Sequence, residues 1–257
     1  MRANDVCEMG ITNMNKTIQF HSIDNTHQGN VRELNEDSIL SVPSSGLWCV
    51  ADGMGGHSAG EVASQMIAED LSELSSYDNP ADLLDVVEGT ILNVNQKLRA
   101  HSEEYLQGQT IGSTVVCLIL KDSVGVALWV GDSRLYRFRE CELTQMTKDH
   151  SEVQARIDSG LLTPEQAEHS SMKNILSRAV GAFDKLDVDI NAFIVEPDDL
   201  FLLCSDGLYN ELDADEMTVT LSAGSITDMS DALMRDCLNK EAKDNVSFIL
   251  VKASNED

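Results

Sequence analysis

Leu47-Trp48-Cys49-Val50-Ala51-Asp52-Gly53-Met54-Gly55-Gly56-His57 is the stretch on which the fold turns. Its first half is a short apolar run stopped by Asp-Gly, which reads as a strand over Leu47–Asp52. Its second half is rich in glycine and leads into a helix beginning near Gly60. Upstream, Thr17–Asp24 and Asp37–Val42 carry the same strand signature, each ended by Gly, Pro, Asn or Asp. Downstream, Ala63, Ile67, Leu71 and Leu74 repeat at helical spacing, and Leu84, Val87, Ile91, Val94 and Leu98 do so again. Asn79-Pro80 before the second helix reads as an N-cap followed by proline at the first helical position.

Strand runs at Ser113–Leu120, Gly125–Val130 and Leu135–Phe138 follow with short turns between them, as a meander requires. From Thr144 to Gly181 the pattern turns helical and more polar, with a capping box at Thr163-Pro164-Glu165-Gln166. Strands resume at Leu186–Val195, Leu200–Cys204 and Asn245–Val251, with a helix from about Thr227 to Ala242. Consecutive strands interrupted by helix pairs predict a layered α+β architecture. Strand–helix alternation is irregular and no GxGxxG occurs, so a parallel dinucleotide-binding sheet fits less well. No linker, repeat or low-complexity tract divides the chain.

The charge balance narrows the function classes. Lys+Arg number 18 against 44 Asp+Glu, a formal net charge of -26, and no basic patch relieves it. Such a surface repels nucleic-acid phosphates and anionic lipid, so neither is an expected partner. Between Glu33 and Gln96 there is no Lys or Arg, while twelve Asp and Glu occur. That stretch is either a strongly solvated face or a place where metal cations supply positive charge. No apolar run reaches the ~18 residues of a membrane span, and the polar N-terminus lacks a signal-peptide core. Cys49, Cys117 and Cys204 lie inside apolar runs and read as buried reduced thiols. A cytoplasmic protein is expected.

Four short apolar strands carry an aspartate at or just past one end: Asp52, Asp132, Asp206 and Asp244. Glu36-Asp37 opens a fifth strand. Singly, each is an ordinary turn residue. Together, if these strand ends converge, their carboxylates repel one another unless cations intervene. Hard divalent ions take carboxylate, carbonyl and water oxygens, and Gly53 lets its carbonyl approach closely. Arg32 either holds two phosphoryl oxygens with its planar fork or pairs with a neighbouring carboxylate, and spacing does not choose between these. His57 is either a proton donor on a loop beside metals or, the reading favoured by the residues alone, a helix-entry residue bonded to backbone. His21, His27, His101, His150 and His169 show no metal-ligand spacing.

The ordered blocks Gly29-Asn30-Val31-Arg32 with Asn35-Glu36-Asp37-Ser38, Val50-Ala51-Asp52-Gly53-Met54-Gly55-Gly56-His57 with Ala59-Gly60-Glu61, Gly112-Ser113-Thr114, Val130-Gly131-Asp132-Ser133-Arg134 with Tyr136, Thr147-Lys148-Asp149-His150-Ser151, Asn174-Ile175-Leu176-Ser177-Arg178-Ala179-Val180-Gly181, Leu203-Cys204-Ser205-Asp206-Gly207-Leu208 and Lys243-Asp244-Asn245-Val246 carry a family resemblance. The sequence resembles the metal-dependent serine/threonine protein phosphatases of type 2C in their compact bacterial form. The resemblance implies a four-layer α-β-β-α sandwich, two antiparallel sheets flanked by helix pairs, with a flap at about 144–181. It divides the chain into an N-terminal extension (1–16), a catalytic domain (17–253) and a tail (254–257).

Carried over residue by residue, it implies that Asp52 bridges two Mg²⁺ or Mn²⁺ ions and that Gly53 offers its carbonyl. Asp206 and Asp244 complete the second ion's shell, Glu36 or Asp37 binds through water, and Asp132 helps hold a third, looser ion. Arg32 grips the phosphate. His57 as general acid transfers least directly, because Met54-Gly55-Gly56 intervene where other members have a shorter loop. The implied reaction is attack of a metal-activated water on phosphoserine or phosphothreonine. The implied setting is a monomer acting on phosphorylated proteins, opposing a bacterial eukaryotic-like Ser/Thr kinase. A non-catalytic scaffold and a metallo-hydrolase of small phosphoesters are the alternatives.

Overall fold

In the computed structural model, residues 18–55, 59–75, 77, 79–168, 170, 172 and 175–255 are described. Eleven strands among them form two sheets in which every strand pairing is antiparallel. The first sheet contains β1 (Ile18–His27), β7 (Arg134–Arg139), β8 (Glu142–Gln145), β10 (Leu200–Cys204) and β11 (Val246–Asn255), in the order β1-β11-β10-β7-β8. The second contains β2 (Asp37–Val42), β3 (Leu47–Gly55), β5 (Val115–Lys121), β6 (Val124–Val130) and β9 (Asp189–Ile194), in that order, with β4 (Ile111–Ser113) paired to the end of β3.

Alternation along β3 explains the layering. Leu47, Cys49 and Ala51 point toward helices α1 (Ala59–Ser72) and α2 (Pro80–Tyr105), where they meet Ala63, Ile67, Val87 and Ile91. Trp48 and Val50 point the other way and pack between the sheets against Phe201, Leu203, Ile249 and Val251. On the far side, Leu200, Leu202, Phe248 and Leu250 are covered by α6 (Ala214–Leu221) and α7 (Ile226–Leu238) through Met217, Leu221, Leu233 and Cys237. Both faces of the central strands are therefore buried, which is why they read as unbroken apolar runs despite antiparallel pairing. The expected four-layer α-β-β-α sandwich is what the chain forms.

Local signals held where they were strong. Asn79 caps α2, its side chain accepting from the Ala81 N–H at 3.0 Å, with Pro80 in the first turn. Thr163 and Gln166 exchange the bonds of a capping box at α4 (Pro164–Glu168). Cys49, Cys117 and Cys204 are buried and free. The helical reading of Thr144–Gly181 is corrected. Thr144 belongs to β8, and the described remainder holds only α3 (Glu152–Asp158) and α4, joined by irregular chain. Few buried apolar groups anchor this segment, so its short helices gain little from packing. The last helix stops at Leu238, short of the expected Ala242, whose φ of 41° lies outside helical space. Among the described residues no helix is long and apolar enough to cross a membrane.

Candidate metal centre

The antiparallel ladder between β2 and β3 sets Asp37 directly opposite Asp52. The backbone of Asp52 is held on both sides. Its N–H donates to Thr114 Oγ1 at 3.1 Å, and its carbonyl accepts from the Thr114 N–H at 2.8 Å and from Ser113 Oγ at 2.9 Å. Gly53 donates its N–H to the Glu36 carbonyl at 3.0 Å. A Cβ at Gly53 would lie 2.1 Å from the Gly60 carbonyl oxygen and 2.6 Å from that of Glu36, so only glycine fits where the start of α1 crosses this strand end.

Asp206 opens the short helix α5 (Asp206–Tyr209) immediately after β10. Asn210 donates to its Oδ2 at 3.0 Å. A Cβ at Gly207 would come within 1.9 Å of the Asn245 carbonyl oxygen, a contact that draws the Asp206 turn against the chain entering β11. Asp244 sits in that chain and accepts from Arg32 Nη2 at 2.8 Å. The two side chains are 51% and 38% exposed, so the pair is weak and exchangeable, and Arg32 is free to take another anion. Asp132 lies in the β6–β7 turn, where Tyr209 Oη donates to its carbonyl at 2.9 Å.

These elements enclose a cavity of about 660 Å³ whose wall includes Arg32, Glu36, Asp52, Gly53, Asp132, Asp206 and Asp244. Of the residues expected in the site, Asp37 lies behind this wall, buried, with Ser205 Oγ donating to its Oδ2 at 2.9 Å. His57 lies outside the described residues. Arg32 is the one Lys or Arg of the cavity wall among the described residues.

The electrostatics match the crowding. Burial, opposed by hydrogen bonds from Ser247 and Ser205 and reinforced by Asp206 and Asp244, pushes the Asp37 carboxyl up to about 7. Burial, with repulsion from Asp206 and Asp149, raises Asp132 to about 7. Asp52 is driven well above the carboxylate range by burial and by the charges of Asp37, Asp206, Asp132 and Asp244. A protein that gathers carboxylates at such cost to their ionisation has a site suited to cations. Every donor is a hard oxygen, the set that Mg²⁺ and Mn²⁺ prefer. Among the described residues no three Asp, Glu, His or Cys side chains form a ready-made cage.

Two residues that stand in the blocks carrying the resemblance have supporting roles that the sequence reading did not assign. Asn245, 5% exposed, accepts from the Glu36 N–H at 2.8 Å and donates to the carbonyls of Gln28 at 3.0 Å and Leu34 at 2.8 Å. It ties the loop bearing Arg32 to the chain that carries Asp244 into β11. Asn245→Ala removes all three bonds, to backbone groups of the exposed Gln28 and Leu34 and the half-buried Glu36, and is expected to cost about 1–2 kcal/mol. It should also raise KM more than it lowers kcat, which urea melts and steady-state kinetics would check. His150, buried, accepts from the Gly131 N–H at Nδ1 (3.1 Å) and reaches Asp189 Oδ2 from Nε2 at 3.2 Å, its ring stacked on Trp129. Burial lowers its pKa, and the neutral ring buttresses the turn that presents Asp132. No spacing pattern marks either residue, because each acts across long sequence separations.

Comparison with known proteins gives one answer at three levels. A family model described as protein phosphatase 2C matches residues 26–247. The serine/threonine phosphatase stp of Listeria monocytogenes is 33% identical over 241 residues, covering 91% of this chain and 96% of that protein. The structure of PppA, described as a key regulatory component of T6SS in Pseudomonas aeruginosa, superposes with a TM-score of 0.86 at 35% identity, over 93% of this chain and 100% of that one. The catalytic domain of the phosphatase PstP, solved in complex with two manganese ions, superposes with a TM-score of 0.84 at 29% identity, over 93% of this chain and 100% of that one.

Proposed function

The chain belongs to the protein phosphatase 2C family, and we propose that the cavity around Asp52 performs its metal-dependent dephosphorylation of phosphoserine and phosphothreonine in proteins. The observation that carries this reading is the gathering of Asp52, Asp132, Asp206, Asp244 and Arg32 around one cavity from five separate stretches of chain.

In this reading Asp52, the Gly53 carbonyl, Asp206 and Asp244 would hold a pair of Mg²⁺ or Mn²⁺ ions, with Glu36 assisting and Asp37 supporting Asp52 from behind the wall. Asp132 takes part in a third, looser site. Bound divalent ions supply a nucleophile at neutral pH and neutralise charge on the phosphoryl oxygens. Arg32 exchanges its exposed partner Asp244 for two phosphoryl oxygens and orients the phosphorus for in-line attack. Thr114 and Ser113 fix the Asp52 backbone, so its carboxylate meets the ions without reorganising. A cytoplasmic monomer opposing a Ser/Thr kinase completes the proposal.

A phosphothreonine peptide assayed with Mn²⁺ and then with excess EDTA tests it. Turnover is expected to vanish with the chelator and return when Mn²⁺ is restored in excess. Hydrolysis that continues unchanged in EDTA would overturn the mechanism.

A further inference from the structure

The cavity wall is chemically divided. Beside the carboxylates and Arg32, with Met54, Thr110, Thr114 and Asn245, it includes Ile175, Leu176 and Ala179 from the end of the 144–181 segment and Ala182 and Phe183 just past it. Ile175 and Phe183 are 48% and 44% exposed and share this one cavity wall.

This apolar part is held firmly. Val180 and Ser113 exchange backbone bonds at 2.8 and 2.9 Å. Asn95 of α2 accepts from the Gly181 N–H at 2.7 Å and donates to the Phe183 carbonyl at 3.1 Å. Ser177 donates its N–H to the His150 carbonyl at 2.9 Å. A rigid backbone presenting exposed apolar side chains beside a reaction centre is a preorganised contact surface rather than a frayed edge.

The ladder gives the distance from the chemistry to Val180, which lies between Ile175 and Phe183 in the chain. Gly53 pairs with Ser113, and Ser113 pairs with Val180. Two strand spacings make about 10 Å between Gly53 and Val180, the reach of about three extended residues. The cavity, at about 660 Å³, has room for much more than a phosphoryl group and its ions, given that one water takes ~30 Å³ of liquid volume.

We infer that Ile175 and Phe183 form a subsite for an apolar side chain within about three residues of the phosphorylated Ser or Thr of the substrate. The inference rests on the proposed function and names the substrate class of that same site. An aliphatic or aromatic residue there covers the exposed faces of Ile175 and Phe183, while a carboxylate would be desolvated beside an already acidic wall.

The test uses the Mn²⁺-loaded enzyme and phosphothreonine peptides carrying Leu, Ser or Asp in turn at each of the three positions on either side. The expected result is a kcat/KM about tenfold higher for Leu than for Ser at one or two positions, the scale set by small apolar contacts. Phe183→Ser should bring that ratio close to one, and Phe183→Leu should keep it. Ile175→Ser, at an exposed position, gives the same reading should Phe183→Ser fail to fold. A ratio near one at every position in the wild type overturns the subsite, as does a preference that survives both serine variants. Failure to hydrolyse any peptide would instead overturn the proposed function, so the two failures are distinguishable.

Discussion

Asp52→Asn is expected to lower kcat/KM on a phosphothreonine peptide by about a thousandfold or more, the scale of losing a group that acts on transition-state charge. The substitution keeps the shape of the side chain and the backbone bonds to Thr114 and Ser113, so the fold has no reason to change. It removes the carboxylate facing Asp37, Asp206, Asp132 and Asp244 at once. Metal affinity should fall with activity, because a neutral amide is a poorer ligand for a hard cation. The metal-free variant should melt close to the metal-free wild type, because burial and repulsion already favour the protonated Asp52 carboxyl without metal and an amide then replaces a neutral group. Steady-state kinetics against Mn²⁺ concentration and thermal melts in EDTA check both halves. Near wild-type turnover at saturating Mn²⁺ would remove Asp52 from the centre of the mechanism.

That asymmetry, activity lost without stability lost, also explains what was legible in the sequence. Asp52, Asp132, Asp206 and Asp244 could be found because each follows or precedes an apolar strand and carries a local turn signature. Each is an ordinary turn residue by itself, and it was their repetition at strand ends that singled out the set. The two sheets were legible for a similar reason, since burial on both faces made β3, β5 and β10 continuous apolar runs. Convergence was not legible from patterning, because register depends on pairs such as Asp37 with Asp52 and Gly53 with Ser113.

The roles of Asn245 and His150, both named in the blocks that carry the resemblance, were not legible for a further reason. Their work is done by single polar atoms meeting backbone groups of distant segments, and no periodicity reports such bonds. β8 and α6 went unread because four residues show too little alternation and because α6 buries only Met217 and Leu221. The apolar wall from Ile175 to Phe183 lies at the end of, and just past, the stretch that the resemblance implied to be a flap. Its character lies in which few side chains face the cavity, which composition cannot tell.

The metal-free protein should lose stability as pH rises from 6.5 to 8.5. Asp37 and Asp132 both titrate near 7 in the folded chain, with burial the leading cause; unfolded aspartate titrates at ~3.9. Between those values the folded state binds more protons than the unfolded one, so unfolding becomes easier as pH increases. The stabilisation is fully present below the unfolded pKa and disappears as pH passes through 7. Over this interval each group contributes about 0.8 kcal/mol, and the pair together shifts Tm by a few degrees.

His150 works in the opposite direction, its pKa lowered by burial. Its influence lies below the ordinary histidine value of ~6.5 and leaves the chosen window to the carboxylates. Divalent ions invert the trend, because they bind the deprotonated groups and displace their protons. The rise in Tm on adding Mg²⁺ should therefore be larger at pH 8.5 than at 6.5. Melting curves in EDTA and in excess Mg²⁺ at both pH values test this directly. A metal-free Tm that climbs toward pH 8.5, or an Mg²⁺ increment independent of pH, would mean that these carboxylates do not share the charge the cavity geometry assigns them.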